Sequence, residues 1–160
     1  MTSATVRRAV TAVGLTAALT LLPALSAQAA VADVGDDDIV RLKLTGVTET
    51  DTMPEYVEAG DSWVTYLHLY DSKKRFAGDA SSRCSAVEAT RDHLIAQCTR
   101  VLRLKKGEIT LHDMITRTND APITAKTAIA GGTGIYNDAE GEGYITLTGN
   151  RVHFDLHVDD

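Results

Sequence analysis

The chain lacks most of the signatures by which common enzymes announce themselves. It has no Gly-x-Ser-x-Gly elbow, which excludes a serine nucleophile of the hydrolase type. It has a glycine-rich run, but no Lys-Ser/Thr closes it and a strand rather than a helix follows, so a phosphate cradle is excluded. No internal repeat or low-complexity tract appears. Basic residues are in deficit, 16 Lys and Arg against 22 Asp and Glu, and an acidic chain repels phosphate backbones, so no nucleic-acid partner is expected. Histidines stand at 68, 93, 112, 153 and 157. His153-x-Asp155-x-His157 places three ligand types on one strand face. Residues i and i+4 of a strand are about 13 Å apart, too far to share one ion. The solvated face of an outer strand explains the three better, and neither a metal nor a cofactor is expected.

Long uncharged sequence occurs only at the N-terminus. Arg7 and Arg8 precede a run rich in Ala, Leu and Thr, Pro23 breaks it, and Ala27-Gln28-Ala29 offers the small residues a signal peptidase reads. Residues 1–29 read as a cleavable signal peptide, with Ala32 as the alternative cleavage position. The competing reading is an uncleaved anchor, since the run is long enough to span a bilayer. Export to the extracellular space is expected, with no stable membrane span after cleavage. Loss of Arg7 and Arg8 leaves 14 basic residues and a formal charge of −8 (14 − 22). Residues 30–38, with Asp33, Asp36, Asp37 and Asp38, read as a flexible acidic arm. Residues 39–160 suit one domain with one core.

From Ile39 the pattern has period two. Val40, Leu42 and Leu44 alternate with Arg41, Lys43 and Thr45. Thr48 to Gly60 is acidic, contains Pro54 and reads as a long loop across one end of the domain. Ser62 to Tyr70 reads as a strand buried on both sides, since Trp63, Thr65, Leu67 and Leu69 oppose Val64, Tyr66, His68 and Tyr70. Further strands follow around Cys84–Ala89, Leu94–Leu104, Ile109–Thr116, Ile123–Ile129, Tyr144–Thr148 and Arg151–Val158. Short polar or glycine turns separate them. About eight strands and no helix after the leader give an all-β antiparallel barrel or sandwich. The two cysteines of an exported chain are expected to pair. If the hairpin between them turns about Arg91, facing residues have numbers that sum to 182, which sets Cys84 opposite Cys98 and predicts a bridge.

The remaining feature is Ala130-Gly131-Gly132-Thr133-Gly134-Ile135-Tyr136-Asn137-Asp138-Ala139-Glu140-Gly141. Its glycines mark a corner between two strands, with Ile135, Tyr136 and Ala139 tucked beneath to close one end. Gly-Gly-Thr-Gly-x-Tyr-x-x-Ala-x-Gly at 131–141 resembles the signature of the allene oxide cyclase and dirigent superfamily of small barrels. His68-Leu69-Tyr70-Asp71, Lys73-Lys74-Arg75, Cys84 and Gly107-Glu108-Ile109-Thr110-Leu111 fall in the order those barrels use. The resemblance runs from about Ile39 to Val158 and implies an eight-stranded antiparallel β-barrel of allene oxide cyclase-like form, as a homodimer or homotrimer. It also implies a cysteine lining the cavity at Cys84, which is the competing fate for that thiol. Where the cyclases carry a glutamate on the first strand this chain has Thr45, so allene oxide cyclisation itself is not expected.

Polar residues set into apolar strands are the candidate site. Tyr66, His68, Asp71 and Asp113 are the candidate catalytic groups, and Tyr70, Arg100, His112 and Tyr144 the candidate ligand-binding ones. In a mostly apolar cup such groups would orient or protonate a reactive molecule. The resemblance implies an exported cyclase or isomerase that folds a hydrophobic substrate in a dry lumen, without a cofactor. The alternative is a carrier of lipophilic ligands or a structural barrel. Paired aspartates of the dirigent kind would correspond to Asp71 and Asp113.

Overall fold

The computed structural model describes residues 39–119 and 121–159. The expected signal peptide and acidic arm lie outside the described residues. Eight antiparallel strands run in chain order: β1 Ile39–Asp51, β2 Ser62–Tyr70, β3 Phe76–Ala89, β4 His93–Leu104, β5 Gly107–Thr118, β6 Ile123–Gly132, β7 Glu140–Thr148 and β8 Arg151–Asp159. Each pairs with the next and β8 pairs with β1, so the sheet closes into a barrel and presents no free edge. Among the described residues no helix is long and apolar enough to cross a membrane.

Alternation sets the two faces of the wall. On β8, Val152, Phe154, Leu156 and Val158 are buried, while Arg151, His153 and His157 face out. Between those histidines Asp155 receives a fork from Arg41 on β1, with Nε at 2.8 Å and Nη2 at 2.7 Å. Lys43 stands 3.4 Å from the same carboxylate. The Arg41 hydrogen bond holds the Asp155 carboxyl down at about 2. These contacts cross the seam where the last strand meets the first.

β2 departs from expectation. Trp63, Leu67 and Leu69 are buried, but Val64 and Tyr66 are exposed and His68 and Tyr70 only half-buried. The outer aromatics shield one another instead, with edge contacts from Tyr66 to His68, His68 to Phe76 and Phe76 to Tyr70. β1 continues through a bulge between Thr48 and Thr50 to Asp51, because pairing with Tyr66 and Thr65 holds its end. β3 begins at Phe76, well before the apolar signal near Cys84.

The disulfide joins Cys84 to Cys98 with Cα atoms 4.1 Å apart. Its register has a second cause besides the turn. Near the turn the pairing is Ala89 with Leu94 and Glu88 with Ile95; a bulge between Ala86 and Glu88 then shifts it, so Cys84 meets Cys98. Regular pairing carried from that turn would set Cys84 opposite Thr99, so the bulge at Val87 is what aligns the thiols.

The glycine corner rests on the β4–β5 hairpin, backbone against backbone. Thr133 N donates to Glu108 O at 2.9 Å and Ile135 N to Lys106 O at 3.2 Å. Thr133 Oγ1 accepts from Glu108 N at 3.1 Å. At Gly134 φ is +66°, and a Cβ would fall 2.2 Å from Lys106 O. Only glycine meets both conditions. Ala139 is buried and Tyr136 packs against the core, whereas Ile135 is exposed rather than tucked in. Below this corner Leu69, Leu102, Ile109, Leu111, Leu156 and Val158 fill the barrel solidly.

Candidate ligand cavity

The other half of the barrel is hollow. Between the β1–β2 loop and the β7–β8 turn opens a cavity of about 350 Å³, within the size range of small-molecule sites. Side-chain size explains the difference. The inner face of β3 offers Ala80, Ser82, Cys84 and Ala86, and that of β4 offers Ala96 and Cys98 before it reaches Leu102. A wall of small residues leaves space that leucines fill at the closed end. The cavity is lined by Trp63, Leu67, Leu94, Ile115, Ile123 and Val152, with the disulfide sulfur of Cys84 in the wall. Met53, from the β1–β2 loop, stands at the mouth.

One buried ion pair is set into this lining. Arg100 lies opposite Leu111, and Asp113 opposite Cys98, so the two are diagonal neighbours on the inner face. Arg100 Nε donates to Asp113 Oδ2 at 2.7 Å and Nη2 to Oδ1 at 3.0 Å. The side chains are 3% and 0% exposed. Both carboxylate oxygens of Asp113 accept from Arg100, and Arg100 carries the remaining donor capacity. Nη1 of Arg100 has no hydrogen-bond partner among the described residues, where every fully buried side-chain nitrogen or oxygen has one, so Nη1 keeps some accessible surface. Nη1 is therefore open to the cavity that Arg100 lines. Ser82 faces Arg100 across β3–β4 and also lines the cavity.

Of the eight polar candidates, some of which were expected to converge in the cup, the structure brings Arg100 and Asp113 together in the lumen and leaves six outside. Tyr66 is on the outer face of β2, where its hydroxyl donates to Asp79 at 3.1 Å. Desolvation and that hydrogen bond raise its pKa. Arg103 forks the same Asp79 and lowers its pKa. His68 Nδ1 is 3.4 Å from Glu49 Oε1, also outside. Tyr70 packs edge-on to Phe76. His112 and Tyr144 are exposed, Tyr144 beneath Lys126 Nζ at 5.7 Å from its ring centre. Asp71 organises the β2–β3 turn at the closed end, accepting from Lys73 N, Arg75 N and Arg75 Nε, and these bonds lower its pKa. It does not meet Asp113. The free-thiol reading of Cys84 fails because the sulfur is bridged.

Sequence reasoning passed over Trp63, Ser82, Arg117 and Arg151, all of which line the cavity. Trp63 shares the apolar row of Leu67 and Leu69, and Arg117 extends the inward row of Asp113 and Ile115. Period two therefore could have found both. Nothing in the sequence marked Arg151.

Comparison with known proteins agrees with this architecture. The family profile described as "Allene oxide cyclase barrel like domain" matches residues 41–155. Among solved structures, a pyocyanin demethylase is similar at 24% identity with a TM-score of 0.59, covering 73% of this chain and 99% of its own. AbnU, an exo-specific intermolecular Diels-Alderase, is similar at 14% identity with a TM-score of 0.55, covering 75% of this chain and 96% of its own. At such identities the likeness is one of fold. No curated protein matches the sequence.

Proposed function

Because the chain belongs to the allene oxide cyclase barrel-like family, we propose that it is an exported barrel that takes a hydrophobic small molecule into its hollow end and directs a stereoselective cyclisation or isomerisation there. The observation that carries this reading is the half-filled barrel, a cup whose deep wall is largely apolar and holds the fixed guanidinium of Arg100. Confinement lowers the entropic part of a ring-closing barrier by holding the reacting ends together. Arg100 would bind and polarise a substrate oxygen through Nη1, and Asp113 would hold the guanidinium still; Asp113 is then a positioning residue. Fixed donors of this kind act most strongly where water is excluded. Solved barrels of similar fold include a Diels-Alderase and a demethylase, so this architecture supports chemistry. Export fits the disulfide.

A carrier is the second reading, and one observation favours it: the ionisable pair deep in the cup is a closed ion pair, with no further acid or base beside it among the described residues that line the deep wall. Incubating the protein with an extract of its producing organism and analysing the bound and released fractions by mass spectrometry separates the two. A ring-closed isomer of equal mass supports the cyclase. Recovery of an unchanged ligand selects the carrier, and an empty protein defeats both. Arg100→Lys keeps the charge but loses the fork, and for a cyclase it is expected to scramble product stereochemistry while leaving binding nearly intact.

A further inference from the structure

We infer that the ligand carries an anionic head group, a carboxylate or similar oxyanion, held at the cavity mouth by Arg117 and Arg151. The inference rests on the reading that the hollow end takes an apolar molecule, and adds which end of that molecule is charged and which way it lies.

Arg41, Arg75, Arg100 and Arg103 each bind a carboxylate of the chain. Arg117 and Arg151 line the cavity, and neither side chain makes an ion pair or a hydrogen bond among the described residues. Arg83 and Arg91 are unpaired among the described residues too, but they are exposed and do not line the cavity; Arg117 and Arg151 are the two that stand together on its rim. The charged groups that line the cavity are Asp51, Arg100, Arg117 and Arg151. Arg100 is cancelled by Asp113. Asp51 Oδ1 accepts from Met53 N at 2.9 Å and forms no ion pair with either rim arginine. Of the charged side chains that line the rim, two are cations and one is an anion, and the guanidinium forks, rather than the net charge of the acidic β1–β2 loop beside them, are what draw an anion in.

Position then fixes orientation. Arg117 is half-buried on the inward row of β5, and Arg151 is exposed at the start of β8, so both cations sit at the wet end. The deep guanidinium already faces the Asp113 carboxylate and offers a ligand only the N–H groups that this pairing leaves over. An amphipathic anion is best served with its apolar body against Trp63, Leu94 and Ile123 and its head at the rim. There guanidinium forks match an oxyanion with two parallel hydrogen bonds.

Two fluorescent probes of nearly equal shape test this: anilinonaphthalene sulfonate, an anion, and its uncharged parent phenylnaphthylamine. Trp63 is the chain's one tryptophan and lines the cavity, so energy transfer from it reports occupancy of this site. The anion is expected to bind about tenfold more tightly than the neutral probe at low salt, as charge-assisted hydrogen bonds allow. The preference should shrink as salt is added. Arg117→Gln with Arg151→Gln should abolish the preference and leave phenylnaphthylamine affinity unchanged. Arg83→Gln, on the exposed outer face of β3, removes the same kind of charge and should change neither. Equal binding of both probes, or a preference that survives the double substitution, overturns the inference while the cavity reading stands. Failure of both probes to bind overturns the cavity reading with it.

Discussion

Arg100 and Asp113 meet almost wholly out of reach of bulk water, and each is tolerable there only because of the other. Removing one partner strands a buried charge, a loss of about 3–5 kcal/mol in comparable pairs. Asp113→Ala should lower stability by that amount in urea denaturation. Arg100→Met with Asp113→Leu should recover most of it, since replacing both charges by apolar groups is often neutral. A double variant as unstable as the single one would show that the pair is not the source of the loss. The contrast also separates structure from chemistry, because the stable double variant should fold and still bind apolar probes without steering a reaction. Half of this pair's placement was legible in advance. Asp113 sits between Leu111 and Ile115, so period two turns it inward and turns the adjacent His112 outward. The same rule cannot sort β2, whose two faces both carry large side chains, and so it gives no reason to place Tyr66, His68 and Tyr70 outside. What put them outside is the closed curvature of the sheet, which no single strand records.

At the level of strands, the seam between β1 and β8 depends on Asp155. Its carboxyl is held at about 2 against an ordinary value of 3.8. A depressed carboxyl stabilises the fold at every pH above the ordinary value and loses that contribution as pH falls through the depressed one. The seam should therefore weaken between about pH 4 and about pH 2. The Arg41 and Asp155 side chains are 56% and 33% exposed, which limits the effect to about 1 kcal/mol or less. Urea midpoints across that range should converge for the wild type and Asp155→Asn at the acid end and separate at neutral pH. Midpoints that stay parallel would show that the fork contributes nothing. The disulfide is the stronger tie. It spans 14 residues, and closing a loop of that size is worth about 3 kcal/mol, so Cys84→Ser with Cys98→Ser should lower stability by about that much. Strand number and order were readable from alternation and turn chemistry. The ends were not: β3 begins among Phe76, Gly78 and Asp79, where nothing is apolar on one side only, and pairing with β2 and β4 imposes the strand.

Across the whole barrel the decisive property is its asymmetry: one end packed, the other open. Packing makes the two ends respond differently to the same substitution. Leu156 is fully buried in the solid half, and Leu156→Ala should cost about 2–5 kcal/mol, because the lost contacts are compounded by a new void. Leu147 lines the existing cavity and is only half-buried. Leu147→Ala enlarges space that is already there, so it should cost clearly less while changing the affinity for an apolar probe. The opposite change makes the same point. Ser82→Phe on the small-residue wall should fill part of the cavity and abolish probe binding, and the space that receives the ring should keep the stability loss small compared with overpacking in the solid half. If Leu147→Ala destabilised as strongly as Leu156→Ala, or if Ser82→Phe bound the probe as well as the wild type, the open end would not be a ligand site. The small residues at Ala80, Ser82 and Cys84 would then need another explanation.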